Sequence, residues 1–255
     1  MAEDPTATDC LRIAAAADVH CSETNCGEIA ASVREVAEKA DLILFCGDLT
    51  THGEPEQAAL LADAVSEVQV PVFAVLGNHD WHADKHEELV SALTTGGIRV
   101  LDRSWSVCEA AGVQVGIVGA KGFVGGFAGS HLPDFGEPLL RQVYRECSEE
   151  VGALDAGLRE VGLCQVRVVM LHYAPTETTI AGEPPGIWAF LGSDRLAAPI
   201  VEHEPDLVLH GHAHAGTFRG SIGEVPVYNV SVPVMGQDFW LFELDVSGRA
   251  RTPIH

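Results

Sequence analysis

The amino-acid sequence predicts an α/β sandwich whose strands are mostly parallel and buried. Up to residue 96, short apolar runs alternate with stretches in which apolar residues recur at helical spacing. Beyond residue 96, strand-like runs follow one another with short turns between them. No internal repeat and no linker interrupts this order. We therefore expect a single domain over residues 10–255, preceded by a flexible tail over residues 1–9.

The first part of the chain has a β-α-β-α-β rhythm. Strands are predicted at residues 11–17, 41–46 and 71–76, and helices at residues 26–39, 55–68 and 83–93. In the second of these helices, Leu61, Val65 and Val68 recur on one face. Because parallel strands need a crossover between them, this rhythm favours right-handed crossovers and a buried parallel sheet.

The second part of the chain is rich in strand patterns. These lie at residues 98–101, 105–109, 113–118, 165–171, 207–209, 225–230 and 239–246. Residues 121–163 interrupt them and look like an insertion. The insertion begins with the glycine-rich loop KGFVGGFAGS and continues into a polar helix around residues 139–161. We expect it to be a small elaboration of the sandwich.

Composition and charge exclude several classes of protein. The chain of 255 residues carries a net charge of −22, from 37 acidic and 15 basic residues. Such a surface repels phosphate backbones and anionic membranes, so neither long nucleic acid nor a membrane is an expected partner. The seven cysteines form no CxxC pair, and no signal-peptide pattern or run of ~18 apolar residues occurs. These features predict a cytoplasmic protein with reduced thiols.

Polar side chains gather where five of the predicted strands end. They are Asp18 and His20, Asp48, the trio Asn78, His79 and Asp80, then His172, and finally His212 and His214. In open α/β sheets, ligands bind at the carboxyl ends of the strands. The tetrapeptide GNHD is rare by chance, and five such blocks in order predict one shared site.

The side-chain types in these blocks suit a pair of metal ions. Carboxylates, imidazoles and an amide oxygen favour Mn, Fe, Zn, Co or Ni over Ca or Cu(I). A carboxylate such as that of Asp48 can bridge two ions ~3.5–4 Å apart. Two divalent ions would outweigh the charges of Asp18 and Asp48 and leave a positive site for a phosphate group. They would also lower the pKa of a bridging water toward ~7 and supply hydroxide as the nucleophile.

The order of the blocks resembles that of the calcineurin-like metallophosphoesterases. The matching segments are DVH (18–20), GD (47–48), GNHD (77–80), His172 and GHAH (211–214), which together span most of the chain. The resemblance implies a four-layer α-β-β-α sandwich with a central double β-sheet flanked by helices. The shorter bacterial and archaeal members are the most similar.

The resemblance also implies a role for each residue. The first ion would be held by Asp18, His20, Asp48 and His214, and the second by Asp48, Asn78, His172 and His212. His79 would contact the phosphate and assist the leaving oxygen. Asp80 would hydrogen-bond to His79 and fix its tautomer.

The expected activity is hydrolysis of a phosphoester by metal-bound hydroxide. The segment GDLTTHG (47–53) resembles the branch that includes cyclic-nucleotide phosphodiesterases, so a diesterase acting on small nucleotide-like substrates is favoured. A phosphomonoesterase or protein phosphatase is the alternative within the enzymes. A catalytically silent, metal-binding interaction module is the alternative from another class.

Several further residues are candidates for contacts with the substrate. They are His52, Trp81, His82, Lys121, Phe123 and Arg195. For Trp81 the alternatives are stacking on the substrate and packing at a helix start, and for His52 they are phosphate contact and solvation. Arg195 could clamp an anion or pair with a carboxylate. We expect His210 to be buried and not a ligand, and His86 and His203 to face solvent on helices.

Overall fold

Two large β-sheets organise residues 10–247, the part of the chain that the computed structural model describes. The strands are β1 (Cys10–Ala16), β2 (Leu42–Cys46), β3 (Val72–Val75), β4 (Arg99–Val100), β5 (Ser104–Ala110), β6 (Val113–Gly119), β7 (Gly126–Phe127), β8 (Ser130–His131), β9 (Val166–Met170), β10 (Leu207–His210), β11 (Arg219–Ile222), β12 (Val225–Asn229) and β13 (Trp240–Asp245). The helices are α1 (Cys26–Ala37), α2 (Pro55–Val65), α3 (His86–Thr95), α4 (Pro138–Glu160), α5 (Trp188–Leu191), α6 (Ala197–His203) and α7 (Val232–Met235). The predicted tail over residues 1–9 lies outside the described residues.

Both sheets are mostly parallel, as the rhythm of the sequence predicts. The first has the order β13-β1-β2-β3-β4, in which only β13 runs antiparallel to its neighbour. The second has the order β11-β12-β10-β9-β6-β5, with antiparallel pairing at both edges. The strands β7 and β8 form a separate hairpin in the glycine-rich loop.

The two sheets pack face to face and each carries helices on its outer face. The core between the sheets includes Leu44, Phe73, Ile117, Val168 and Leu209. A second core, between the first sheet and α1, α2 and α3, includes Ile43, Phe45, Leu61, Leu89 and Leu93. A third core, between the second sheet and the helices α4 and α6, includes Val118, Leu154, Leu158, Ile200 and Val208. This is the expected four-layer α-β-β-α sandwich.

The strand β2 shows why the apolar runs are continuous rather than alternating. Leu42, Leu44 and Cys46 face the second sheet, whereas Ile43 and Phe45 face the helices. Because successive side chains of a strand point to opposite faces, a strand covered on both faces needs apolar residues at every position.

Two elements are too short to show a periodic apolar pattern in the sequence. The edge strand β11 contains Arg219, Gly220 and Ser221, and it is defined by antiparallel pairing with β12. The short helix α6 contains Pro199 and packs on the second sheet. That residues 10–255 form one domain, and that residues 121–163 are an insertion, stay predictions.

The helix α4 is fastened to the sandwich by one arginine. Arg103, between β4 and β5, donates to Glu150 at 2.9 Å, to Glu149 at 2.9 Å and to Glu146. Glu150 is 1% exposed, and its other oxygen accepts a hydrogen bond from the backbone N–H of Gly122 at 2.9 Å. The position of α4 and the start of the glycine-rich loop therefore depend on the same ion-pair network.

All seven cysteines are free thiols, and none forms a disulfide bond. Within residues 10–247, no helix combines the length and the apolar character that crossing a membrane requires.

We expect the substitution Arg103→Met to destabilise the protein by about 2–4 kcal/mol, because it leaves the buried Glu150 without its charged partner. The matched control is Arg141→Met, since Arg141 and Asp134 form an exposed pair at 3.9 Å. The control should change stability by less than about 1 kcal/mol. Urea unfolding of both variants provides the comparison, and equal stabilities would show that Arg103 does not anchor α4.

Candidate metal centre

The carboxyl ends of strands from both sheets meet at one place. The loops after β1, β2 and β3 come from the first sheet, and those after β9 and β10 come from the second. Contacts between the sheets hold them together: the backbone N–H of His212 donates to Asp18 Oδ2 at 3.0 Å. The ring Nδ1 of His172 donates to the carbonyl oxygen of Cys46 at 3.1 Å. The structure thus brings together all five polar blocks of the sequence.

One group at this junction contains Asp18, His20 and His214, whose ligand atoms lie within 4.8 Å of one another. His214 Nε2 lies 3.0 Å from Asp18 Oδ1. Burial opposes ionisation of Asp18, but the hydrogen bond from His214 and the nearby His172 outweigh it, so the pKa of Asp18 lies below its usual value. The hydrogen bond to Asp18 also raises the pKa of His214.

A second group contains Asp48, His172 and His212, again within 4.8 Å. The amide oxygen of Asn78 lies 2.9 Å from His172 Nε2. Because the carbonyl oxygen of Cys46 only accepts hydrogen bonds, His172 carries a proton on Nδ1 and turns Nε2 toward Asn78 and Asp48. His212 Nε2 likewise donates to the carbonyl oxygen of Phe190 at 3.1 Å, which leaves Nδ1 free.

The protonation state of His212 matches this arrangement. Burial, followed by the neighbouring His172, lowers the pKa of His212 to about 4. Burial also lowers the pKa of His20. Both imidazoles are therefore neutral near pH 7, and neutral imidazole is the form that binds a metal ion.

Asp48, a member of the second group, also lies within 4.8 Å of the ligand atoms of His20 and His79, and it is 1% exposed. Its Oδ1 is 3.3 Å from His172 Nε2 and accepts the backbone N–H of His79 at 2.8 Å. Its Oδ2 is 3.9 Å from His20 Nε2 and 3.9 Å from His79 Nε2. Each carboxylate oxygen thus faces a different set of imidazoles, which is the geometry that a bridging ligand needs.

The backbone turns sharply where the ligand side chains enter the site. Four non-glycine residues there have positive φ angles: Asp18 (59°), His20 (44°), Asp48 (50°) and His212 (70°). Positive φ is uncommon for such residues and concentrates at functional sites. Gly77 makes room for this turn, because a Cβ at its position would collide with the carboxylate of Asp48.

His79 lies beside the two groups, half-buried, with its ring held by the chain. Its Nδ1 donates to the carbonyl oxygen of Thr51 at 2.9 Å, so Nδ1 carries a proton and Nε2 faces the site. The rings of His20 and His82 lie 4.6 Å and 4.3 Å away between centroids. The orientation of His79 therefore comes from Thr51.

The prediction that Asp80 hydrogen-bonds to His79 is wrong. Asp80 is fully buried, and its Oδ2 accepts the N–H groups of Leu49 at 3.1 Å and Gly77 at 2.8 Å. Its Oδ1 accepts the N–H of Thr50 at 2.9 Å and the Thr50 hydroxyl at 2.7 Å. The residues His79–Trp81 form one 3-10 turn, in which neighbouring side chains diverge. Asp80 therefore ties the loop after β2 to the loop after β3.

The titration of Asp80 follows from this environment. Burial raises the pKa of its carboxyl group, and the nearby charge of Asp48 raises it further, although four donors favour the ionised form.

A cavity of about 390 Å³ opens next to Asn78. Its walls are Trp81, Lys121, Phe123, Tyr173 and the α4 residues Leu139, Gln142, Val143 and Glu146. Three of the predicted substrate contacts, Trp81, Lys121 and Phe123, thus line one space. Burial lowers the pKa of Lys121. The sequence analysis missed Tyr173, although its position directly after His172 was a usable signal.

Arg195 does not line this cavity. Its guanidinium stacks on the ring of Tyr144 at 4.1 Å and donates to the Ser148 hydroxyl at 2.8 Å. The sequence left two alternatives open for Arg195, an anion clamp and a carboxylate pair. Its contacts with Tyr144 and Ser148 correspond to neither. His52 and His82 are exposed.

The remaining histidines have structural neighbours. His210 is fully buried between Thr179 and the carbonyl oxygen of Gly211, so both ring nitrogens are occupied, as expected for a residue that is not a ligand. Burial lowers its pKa to about 4.

The prediction that His86 and His203 face solvent is wrong. His86 stacks on Trp81 with centroids 4.1 Å apart, and His203 bonds to Asp155 at 2.8 Å.

Comparison with known proteins agrees with this geometry. A family model described as calcineurin-like phosphoesterase matches residues 11–216. The protein therefore belongs to the calcineurin-like phosphoesterase family.

Two curated relatives are similar in sequence. The chain is 33% identical to the probable glycerophosphodiester phosphodiesterase GpdQ of Arcobacter nitrofigilis over 63 residues, which is 25% of this chain and 22% of that protein. It is 27% identical to purple acid phosphatase 3 of Arabidopsis thaliana over 214 residues, which is 74% of this chain and 53% of that protein. The matches thus span about half of each relative or less.

A solved structure shares the fold. The crystal structure of phosphopantetheinyl hydrolase (PptH) from Mycobacterium tuberculosis has a TM-score of 0.64 and 15% sequence identity to this chain. The similarity covers 94% of this chain and 98% of that one.

We expect Asp80→Asn to destabilise the protein by about 2–4 kcal/mol, because the amide replaces one acceptor oxygen by a donor that faces backbone N–H groups. Urea unfolding of the metal-free protein measures this loss. A control at Asp84, which is exposed, should leave stability nearly unchanged when changed to Asn. Unaltered stability of Asp80→Asn would contradict its structural role.

The substitution Gly77→Ala should displace Asp48 and lower both metal content and stability, the latter by more than about 2 kcal/mol. The control is Gly152→Ala on α4, where a Cβ would meet nothing within 4 Å and alanine favours the helix. Elemental analysis and urea unfolding provide the two readouts. Full metal content in Gly77→Ala would show that the close approach to Asp48 is dispensable.

Proposed function

We propose that the protein is a phosphoester hydrolase that uses two divalent transition-metal ions and prefers small, nucleotide-like phosphodiesters. The position of Asp48 carries this proposal, because its two carboxylate oxygens face separate sets of imidazoles. A carboxylate that faces two sets of donors in this way can hold two ions at once. As the cysteine content predicts, we place the activity in the cytoplasm.

The residues present fit the proposed ions. The ring nitrogens of His172 and His212, the carboxylates of Asp18 and Asp48, and the amide oxygen of Asn78 are a donor set for Mn, Fe, Zn, Co or Ni. His20 and His214 complete the first group. When bound, such ions neutralise charge on the phosphate and lower the pKa of water.

His79 supplies the proton for the leaving oxygen in this proposal. Its Nδ1 is engaged by Thr51, so only Nε2 is available to exchange a proton at the site. Nε2 lies 3.9 Å from Asp48 Oδ2, beside the position that a phosphate held by both groups would take. Asp48 also receives the backbone N–H of His79, which keeps the imidazole at a fixed distance from the metal ligands.

The preference for diesters is supported by the segment GDLTTHG (47–53) and by one relative. The cavity of about 390 Å³ beside Asn78 offers space for an organic group, which both kinds of ester carry. The relative GpdQ is named a phosphodiesterase over a short match. Phosphomonoester hydrolysis is the second candidate, because the longer match is to a purple acid phosphatase.

The proposal is tested by measuring bound metals by elemental analysis and hydrolysis of bis-p-nitrophenyl phosphate and p-nitrophenyl phosphate on the same sample. We expect two equivalents of metal and faster turnover of the diester. Faster turnover of the monoester would agree with the proposed metal site but would show that the enzyme prefers phosphomonoesters. Bound metal without turnover of either ester would contradict the proposed enzymatic activity and favour the catalytically silent, metal-binding module.

The role of His79 is tested by His79→Ala, which should lower kcat by roughly 10²–10⁴ while metal content stays at two equivalents. The control His203→Ala removes a histidine on α6 that bonds to Asp155. It should leave kcat unchanged. If His79→Ala loses metal instead, then His79 is a ligand and the assignment is wrong.

A further inference from the structure

The ammonium group of Lys121 lies among three aromatic rings in the cavity beside Asn78. Its Nζ is 4.3 Å from the ring centroid of Phe123, 5.4 Å from that of Tyr173 and 5.9 Å from that of Trp81. These distances are in the range of cation–π contacts. Three rings around one cation form a built pocket rather than a chance surface arrangement.

Lys121 differs from the other two lysines of the chain in having no ion-pair partner. Lys39 bonds to Glu35 and Lys85 bonds to Glu54, each at 2.7 Å. Within residues 10–247, no hydrogen-bond acceptor or carboxylate oxygen lies in bonding distance of Lys121 Nζ. An ammonium has three N–H donors, and leaving them without acceptors inside a partly buried pocket costs free energy.

Two carboxylates lie near Lys121: Glu146, which lines the pocket, and Glu150. One oxygen of each accepts a hydrogen bond from Arg103. The second oxygen of Glu150 accepts the backbone N–H of Gly122. Lys121 therefore keeps donor capacity that no side chain of the described chain uses.

The cavity has a polar end and an apolar wall. Asn78, whose amide oxygen lies 2.9 Å from His172 of the second metal group, lines the cavity together with Leu139 and Val143 of α4. Leu139 is 70% exposed, so apolar surface continues to the cavity mouth. A phosphate bound at the metal centre would place its organic group next to Trp81 and Phe123.

We propose that this cavity binds the organic group of the substrate, and that this group has an apolar or aromatic body bearing an acceptor oxygen that Lys121 binds. The inference rests on the proposed phosphoester hydrolase function. Phe123 and Trp81 contact the body of the group, and Lys121 is the specificity-determining residue. The acceptor can be a carbonyl or a carboxylate oxygen, because both accept the ammonium N–H.

The test measures binding, so that it does not depend on turnover. Isothermal titration calorimetry compares 4-acetylbenzylphosphonate with 4-isopropylbenzylphosphonate on the Mn²⁺-loaded protein, since the two differ mainly in the acceptor oxygen. We expect the acetyl compound to bind roughly tenfold more tightly, as for a hydrogen bond to a charged group. Equal affinities would overturn the inference, even if the protein hydrolyses phosphoesters.

Two variants assign the effect to named residues. Lys121→Met should abolish the preference for the acetyl compound, whereas the matched control Lys85→Met should keep it. Phe123→Ala should weaken both benzylphosphonates by roughly tenfold and leave the binding of inorganic phosphate unchanged. If Lys121→Met weakens inorganic phosphate by the same factor as the acetyl compound, then Lys121 contacts the phosphate itself and the inference fails.

Discussion

The rest of the site depends on the interactions of one buried carboxylate, that of Asp48. It lies where the loops of two sheets meet, and it receives the N–H of His79 while facing His20 and His172. An ionised group this deep is costly unless charges and donors surround it. The loops must therefore approach closely, which explains the glycine at position 77 and the positive φ angle of Asp48 itself. Packing of the two sheets keeps this arrangement in place.

Asp80 stabilises the same junction through hydrogen bonds to the backbone. Its four hydrogen bonds join the loop after β2 to the loop after β3 and so fix the spacing between Asp48 and Asn78. A carboxylate in this position looks catalytic in the sequence, because it follows His79 directly. However, three backbone N–H groups and one hydroxyl donate to Asp80, so its role is to stabilise the two loops. Thr51 orients the imidazole instead, through a carbonyl oxygen that any residue could provide.

Local electrostatics reverse the charge balance of the whole molecule. The net charge of −22 repels phosphate at long range, whereas two bound cations would make the junction attractive to a phosphate group. Lys121 adds a positive charge next to that junction. The glutamates of α4 lie close by, but Arg103 binds them. The same helix thus shapes the cavity, and Arg103 offsets part of its negative charge.

The metal-ligand candidates and an α/β sandwich of buried, mostly parallel strands could be predicted from local patterns in the sequence, whereas the four layers were implied by the family resemblance. Apolar runs define buried strands, and polar blocks at their ends define where ligands enter. The partners of Asp80 and Arg195 could not be predicted in this way, since their contacts lie on residues distant in the chain. The stacking of His86 on Trp81 and the ring cluster around Lys121 also depend on how the loops and helices pack. Only the tertiary structure decides these contacts, because specific side-chain pairings leave no periodic signal in the sequence.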